Sequence, residues 1–160
     1  MIALDIDPTR LALARHNATI YGVADRIEFI LTDYVTFADS YLTLPSTSKR
    51  KIDVVFLSPP WGGPSYLAGP QGDEPIEVHP EYSLGSIQPL HGAELFRLSR
   101  RMTRNIAYYL PRNTKLEEIS SLLGPEGIEK IEIEEEWMGS KLKALTCYCG
   151  GLVSGQEDLW

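Results

Sequence analysis

The chain has 160 residues, of which 43% are hydrophobic and 23% charged, with 15 Lys and Arg against 22 Asp and Glu. That length and apolar share suit one compact domain with a sizeable core. The net charge of −7 argues against a histone-like coat on nucleic acid, because non-specific phosphate binding needs a net basic surface. It leaves a small phosphorylated substrate open. No apolar run approaches the roughly 20 residues that span a bilayer.

The two cysteines, Cys147 and Cys149, are too few for a disulfide framework or for a metal site of their own. Because they alternate on a predicted strand, their side chains point to the same face, and we interpret them as strand packing. The three histidines form no recognisable ligand spacing, so the sequence predicts no metal site. The first seven residues lack the basic start of a signal peptide, and we expect an intracellular, reducing compartment.

The first thirty residues predict a strand, a helix and a second strand. Residues 2–6 form an apolar run that contains one acid. Asp7-Pro8 then suits the N-cap and first position of a helix that should continue to about Tyr21, with Gly22 as its C-cap. Residues 26–31 alternate and then become apolar, as in a strand. This succession is the βαβ unit of a parallel sheet.

The rest of the chain predicts further strands and helices. Residues 52–57 are a continuous β-branched and apolar run, the pattern of a strand buried on both faces. Residues 65–91 contain several prolines and no clear period, and predict a long surface loop. The remaining predicted elements are a helix over 94–104, a strand over 105–110, a helix over 116–123, and strands over 127–137 and 141–149. The order predicts an α/β sheet whose last two strands form a hairpin.

Ligands of open parallel sheets bind beyond the carboxyl ends of the strands, so the residues after each strand are the first candidates. They are Asp5, Asp33, the turn at 58–61 and residues 111–113. A carboxylate such as Asp5 at the end of a strand can accept hydrogen bonds from two ribose hydroxyls, whereas Asp7 fits helix capping better. The alternative is that both acids only cap the helix.

The turn at 58–61, Ser-Pro-Pro-Trp, is the most informative stretch. Its two prolines remove two amide donors and stiffen the backbone, which leaves main-chain carbonyls able to point at a ligand. The aromatic ring that follows can stack on a planar base. Together they suit a flat heterocycle with an exocyclic amino group, and the glycines at 62 and 63 let the backbone pass close to it. The alternative is a proline-rich turn with a packed tryptophan.

Six basic residues and no acid lie between Arg97 and Lys115. Four of them, at 97, 100, 101 and 104, share roughly one helical face. They predict either a phosphate-binding surface or an ordinary solvated face with ion pairs. Arg112 differs because it follows a strand, where its guanidinium could bind a phosphate with two N–H groups. We expect the whole basic cluster to lie beside the ligand site.

These stretches together resemble the catalytic domain of the trimethylguanosine synthase family, the eukaryotic RNA cap guanine-N2 methyltransferases. The likeness runs from Ile2 to about Gly150, and Ser-Pro-Pro-Trp-Gly-Gly-Pro at 58–64 is its most specific part. Related amino-methyltransferases have Asp or Asn before Pro-Pro, and serine is the variant of this family. The other matching stretches are residues 3–8, 14–18, 21–30, 53–57, 96–99 and 109–113.

The resemblance implies an α/β, Rossmann-like class I methyltransferase sheet with a C-terminal antiparallel strand pair. It implies a methyltransferase domain over residues 1–150 and a C-terminal tail over 151–160. The implied activity is methyl transfer from S-adenosyl-L-methionine to N2 of the 7-methylguanosine cap of small nuclear and nucleolar RNAs, which gives the 2,2,7-trimethylguanosine cap. The implied compartment is the nucleus and nucleolus, with the cytoplasm as a further one. We expect a monomer, with no metal and no membrane partner.

Carried over position by position, the resemblance assigns three residues to the cofactor. Asp5 would hold the cofactor ribose, Ile6 would pack on adenine, and Asp33 would receive the adenine amino group. Asn17, on the first helix, would border the cap pocket.

The resemblance also assigns the residues at the cap. Ser58 and Pro59 would orient guanine N2, with Pro60 completing the turn. Trp61 would stack on the methylated base, and Arg112 would contact the cap phosphates. Because 7-methylguanine is cationic, the stack gains a cation–π contribution of about 1–2 kcal/mol when desolvated. Attack by N2 on the sulfonium methyl needs no side-chain base, since positioning supplies most of the acceleration.

The chain departs from the class I pattern at its start. Those enzymes begin with a strand and a glycine-rich turn that cradles the methionine part of the cofactor, whereas the first glycine here is Gly22. That strand normally lies between the strands at 2–6 and 52–57, so these two either pair directly or leave a gap. We therefore expect an N-terminally truncated family member that binds S-adenosylmethionine poorly. The alternatives are another class I amino-methyltransferase, acting on a nucleic-acid base or a protein glutamine, or an inactive cap-binding fragment.

Overall fold

A computed structural model describes residues 1–62, 81–124 and 129–159, which form two compact units divided after residue 50. The first unit contains strand β1 (Ile2–Asp5), helix α1 (Pro8–Ile20), strand β2 (Glu28–Leu31) and helix α2 (Tyr34–Thr43). Strands β1 and β2 pair in parallel. The predicted βαβ unit is therefore confirmed.

Local signals set the bounds of α1. The Asp7 carboxylate accepts the backbone N–H groups of Thr9 and Arg10 at 2.8 and 3.3 Å, so it is the N-cap. Beyond the helix, Gly22 takes a φ of 67°, a conformation that favours glycine. Both ends of the helix lie within one residue of the predicted ones.

The second unit is built on a mixed sheet of four strands in the order β3-β4-β6-β5. Strand β3 runs parallel to β4, and the other two pairs are antiparallel, which confirms the closing hairpin. No helix in the described ranges is long and apolar enough to cross a membrane. The elements are β3 (Val55–Leu57), α3 (Gly92–Arg100), β4 (Ile106–Pro111), α4 (Leu116–Ser120), β5 (Glu132–Met138) and β6 (Lys141–Tyr148).

Strand β4 lies at the centre of the core of this unit. Tyr108 is fully buried, and its ring stacks on Phe96 of α3 with centroids 6.3 Å apart. Its hydroxyl donates to the Gly92 carbonyl at 3.2 Å. A Cβ at Gly92 would lie 2.8 Å from both the Tyr108 hydroxyl and the Ile87 Cδ1, so a larger residue would displace these two buried side chains.

The prediction that residues 52–57 form a strand buried on both faces is wrong. Only Val55–Leu57 is strand, and Val55 and Leu57 are buried whereas Phe56 between them is 63% exposed. Alternate burial is the pattern of a strand with one covered face. The sequence does not show the alternating burial, because Phe56 on the exposed face is apolar as well. Its ring contacts Tyr109 on that face.

The predicted loop at 65–91 is partly corrected. Residues 65–80 lie outside the described residues, but Tyr82, Leu84 and Ile87 are buried rather than on the surface. The Glu118 carboxylate of α4 accepts the Leu84 N–H at 2.7 Å. A side chain therefore satisfies a backbone N–H of this buried irregular segment. Because the segment is neither α-helix nor strand, its burial produces no periodic pattern in the sequence.

Two further expectations concern β1 and the chain after residue 150. Strands β1 and β3 belong to different sheets, so in the described ranges they do not pair directly. In the segment expected as a tail, Val153 and Gln156 are buried. The Gln156 side chain accepts the Lys130 N–H at 2.6 Å and donates to the Gly150 carbonyl at 3.1 Å, which fixes this segment before β5.

The two thiols predict a pH dependence of stability. Cys147 and Cys149 are free and buried, and burial raises the pKa of each from 9 to about 12. The folded state keeps both thiols protonated, so this contribution is complete below pH 9 and is lost as the pH rises towards 12. We expect the free energy of unfolding in urea to fall above pH 9, and less steeply in the variant Cys147→Ala/Cys149→Ala. Equal slopes for the two proteins would contradict the assignment.

Candidate active site

The carboxyl ends of β1 and β2 lie side by side in the first unit. Asp5 pairs with Leu31, and the Thr32 N–H donates to the Asp5 carbonyl at 3.1 Å. Because the strands are parallel, Asp5 and Asp33 follow at the same edge of this sheet. Ile6 lies there too and is 71% exposed. The structure therefore brings together the three residues that the resemblance assigns to a cofactor.

The carboxylates of Asp5 and Asp7 do different work. Asp7 caps α1, whereas Asp5 is half-buried and uses Oδ1 to accept the Asp7 N–H at 2.8 Å. This bond fixes the turn between strand and helix. Within residues 1–62, 81–124 and 129–159, the second oxygen of Asp5 accepts no hydrogen bond. Asp5 is therefore held in place with one oxygen available to a ligand.

Asp33 has a structural role in addition to its predicted one. Its Oδ1 accepts the backbone N–H of Thr36 at 3.0 Å and the Thr36 hydroxyl at 3.3 Å, so it is the N-cap of α2. Asn17 is exposed near the end of α1, about 15 Å along the helix from Asp7. The structure does not bring Asn17 beside Asp5 and Asp33.

The turn that follows β3 carries the predicted base-binding residues of the second unit. Ser58 and Pro60 are exposed and Pro59 is half-buried. Strand β3 pairs in parallel with β4, with Leu57 opposite Tyr108. Their carboxyl ends therefore share one sheet edge, where the turn leaves β3 and Arg112 follows β4.

Trp61 is half-buried at this edge and contacts a residue that the sequence does not single out. Its indole lies 4.9 Å from the Tyr109 ring, between centroids, at an interplanar angle of 36°. Tyr109 is the β4 residue after Tyr108, so its side chain points away from the core that Tyr108 fills. Tyr108 and Tyr109 are adjacent and identical, so the sequence does not show which of the two rings faces the core. Strand alternation indicates only that the two rings point to opposite faces of the sheet.

Arg112 is anchored to the hairpin. Its Nη1 donates to the Leu142 carbonyl of β6 at 3.1 Å, and the side chain is half-buried. A backbone acceptor thus fixes the guanidinium at the same edge as the turn after β3. In the described part of the chain, no group of three or more His, Cys, Asp or Glu side chains could hold a metal ion.

The expectation that the basic cluster lies beside this site is wrong for its first part. Arg101 and Arg104 precede β4 and Arg112 follows it, so about 20 Å of strand separates them. Arg100 is paired with Glu129, whose carboxylate oxygens lie 2.7 and 2.9 Å from its Nη2. Both side chains are about one-fifth exposed, at 20% and 19%. Arg100 therefore serves the packing of α3 and not a phosphate.

The α/β architecture, with a mixed sheet that ends in an antiparallel strand pair, is that of a class I methyltransferase. A family model described as RNA cap guanine-N2 methyltransferase matches residues 1–152, and the chain belongs to this family. It is similar to the trimethylguanosine synthase of Schizosaccharomyces pombe, with 35% identity over 122 residues, 76% of this chain and 45% of that protein. It is also similar to the trimethylguanosine synthase of Saccharomyces cerevisiae, with 30% identity over 138 residues, 84% of this chain and 39% of that protein. The chain spans less than half the length of either relative.

The capping role of Asp33 can be separated from any ligand role by two variants. Asp33→Ala removes the N-cap of α2, and we expect it to lower the free energy of unfolding by about 1 kcal/mol. Asp33→Asn keeps a capping oxygen and should be nearly neutral. Urea unfolding of both variants measures the difference. Equal destabilisation by both would show that the negative charge, and not the cap, stabilises the fold.

Proposed function

We propose that this protein transfers methyl groups from S-adenosylmethionine to the exocyclic N2 of the 7-methylguanosine cap of RNA, giving the 2,2,7-trimethylguanosine cap. The observation that carries this proposal is the Trp61 indole, held on Tyr109 next to the Ser-Pro-Pro turn and at the same sheet edge as Arg112. An aromatic ring, carbonyl acceptors and a guanidinium are what a cationic base with an amino group and a phosphate tail requires. Family membership favours the cap over another base or a protein glutamine.

The edge of the first unit supplies groups that fit the cofactor. The uncommitted oxygen of Asp5 can accept a hydrogen bond from a ribose hydroxyl, and exposed Ile6 offers an apolar surface to adenine. Asp33 caps its helix through one oxygen, which leaves the other for the adenine amino group. When bound, S-adenosylmethionine supplies an electrophilic methyl group.

Trp61 provides the contact that selects the methylated base. Methylation at N7 makes guanine cationic, and a cation over an indole face gains about 1–2 kcal/mol when desolvated. Unmethylated guanine stacks without this contribution. Because Trp61 favours the methylated base, N7 methylation precedes methylation at N2.

The turn residues orient the nucleophile. Carbonyl groups at Ser58 and Pro59 accept the N–H groups of N2 and direct its lone pair outward, while Pro60 keeps the turn rigid. Methyl transfer is an in-line displacement, so alignment supplies most of the rate enhancement. The proton that N2 loses passes to water, and no side-chain base is required.

Arg112 binds the phosphates that join the cap to the RNA chain. A guanidinium anchored to the Leu142 carbonyl loses less conformational freedom on binding than a mobile side chain. We propose capped small nuclear and nucleolar RNAs as substrates and the nucleus and nucleolus as the compartment, on the similarity to trimethylguanosine synthases.

The direct test of activity uses the purified protein, S-adenosylmethionine in large excess to offset the expected weak cofactor binding, and two RNAs that carry either a 7-methylguanosine or an unmethylated guanosine cap. Nuclease digestion and mass spectrometry identify the methylated nucleoside. We expect N2-methylated 7-methylguanosine from the first RNA and about five- to thirtyfold less product from the second. Equal methylation of both caps, or methylation only within the RNA body, would contradict the proposal.

Replacing Trp61 tests the stacking platform. We expect Trp61→Leu to weaken binding of 7-methylguanosine triphosphate at least about tenfold, because both the stack and the cation–π contact are lost. Trp61→Phe should retain most of the affinity. Equilibrium titration gives both values, and an unchanged dissociation constant for Trp61→Leu would rule out the platform.

Replacing arginines at the two ends of β4 tests the phosphate contact. Arg112→Ala should weaken binding of 7-methylguanosine triphosphate about ten- to hundredfold, because a hydrogen bond to a charged group is lost. Binding of the nucleoside 7-methylguanosine, which has no phosphate, should change little. The matched control is Arg101→Ala/Arg104→Ala, at the opposite end of the strand, which should leave both affinities unchanged. A loss of triphosphate binding in the control would place the phosphates elsewhere.

A further inference from the structure

We propose that Tyr109 is a positioning residue for the cap base: its ring holds the Trp61 indole in the plane that stacks on 7-methylguanine, and so sets the preference for the methylated base. This inference rests on the proposed function, in which Trp61 is the platform. Beyond that function, a residue on β4, and not the turn that carries Trp61, sets the orientation of the platform.

The backbone at Trp61 does not fix the indole. Trp61 belongs to neither a helix nor a strand, and it follows two prolines that donate no hydrogen bonds. Gly62, directly after the tryptophan, has a φ of 89°, a region open to glycine. The plane of the ring therefore depends on side-chain contacts.

Tyr109, in contrast, is held rigidly. It lies on β4, which has β3 on one side and β6 on the other, and it pairs with buried Thr146. Thr146 in turn donates to Glu136 of β5 at 2.6 Å. Phe56 is also near the Tyr109 ring, but its centroid is 6.3 Å away and the residue is 63% exposed, so the strand pairing and not Phe56 holds Tyr109. The sheet thus offers a fixed ring to a tryptophan on a turn.

The geometry is that of a favourable aromatic pair. Centroids 4.9 Å apart at 36° lie within the range of offset and tilted pairs that stabilise more than their buried area alone. The contact is between rings, so phenylalanine at position 109 preserves it. A leucine or methionine of similar volume does not provide an aromatic face.

Loss of the Tyr109 ring should weaken binding of the methylated base more than binding of the unmethylated base. A cation–π contact requires the cation to lie over the ring face, within about 6 Å of its centre. An indole that samples other rotamers loses this alignment. Neutral guanine is affected less, because its stacking includes no cation–π contribution. We expect Tyr109→Leu to weaken binding of 7-methylguanosine triphosphate about three- to tenfold and to narrow its advantage over guanosine triphosphate.

The experiment compares Tyr109→Leu, Tyr109→Met and Tyr109→Phe with the control Phe56→Leu, which removes a ring next to Tyr109 but not next to Trp61. Dissociation constants for 7-methylguanosine triphosphate and guanosine triphosphate give the preference. Time-resolved fluorescence anisotropy, with Trp137 and Trp160 changed to phenylalanine, reports the local motion of the Trp61 indole without a ligand. A residue with only a structural role would not alter the preference or that motion.

The expected result is faster indole motion and a reduced preference in Tyr109→Leu, with Tyr109→Phe and Phe56→Leu like the parent. If Tyr109→Leu does not fold, the same measurements are made on Tyr109→Met, which also lacks the ring. Parental indole motion and full preference in the variant without a ring would overturn the inference. A parent protein that binds both nucleotides equally would instead contradict the proposed function, whatever the Tyr109 variants do.

Discussion

The parallel pairing of β3 with β4 is the constraint on which the candidate cap site depends. It brings the carboxyl ends of both strands to one edge, so the Ser58 turn and Arg112 leave the sheet at the same edge. Strand β4 serves two purposes through alternation, because Tyr108 fills the core while Tyr109 supports Trp61 on the opposite face. The core packing that stabilises this unit therefore also fixes the platform of the site.

In the first unit, parallel pairing likewise brings the carboxyl ends of two strands to one edge of a smaller sheet. Parallel pairing of β1 and β2 places Asp5 and Asp33 at one edge, and each carboxylate is oriented by backbone N–H groups of its own turn or helix. These bonds leave part of each carboxylate for a ligand. A carboxylate already held by the backbone needs little further ordering on binding, which favours affinity.

Features with local causes were predictable from the sequence, and features that depend on tertiary contacts were not. The cap at Asp7, the turn at Gly22 and the strand-end position of Arg112 follow from residue type and strand order. The role of Tyr109 depends on which of two adjacent tyrosines faces the core. Only the packing of β4 in the folded protein determines this. The separation of Arg101 from Arg112 was hidden because neighbours in sequence can lie at opposite ends of a strand.

The central claim is that the edge formed by β3 and β4 binds the methylated guanine with N2 towards the turn. A crystal structure of the protein with 7-methylguanosine triphosphate and S-adenosylhomocysteine tests it most directly. We expect the base to stack on Trp61, N2 to lie within hydrogen-bond distance of the Ser58 or Pro59 carbonyl, and a phosphate to contact Arg112. A base bound away from Trp61, or stacked there with N2 directed away from the turn, would contradict it.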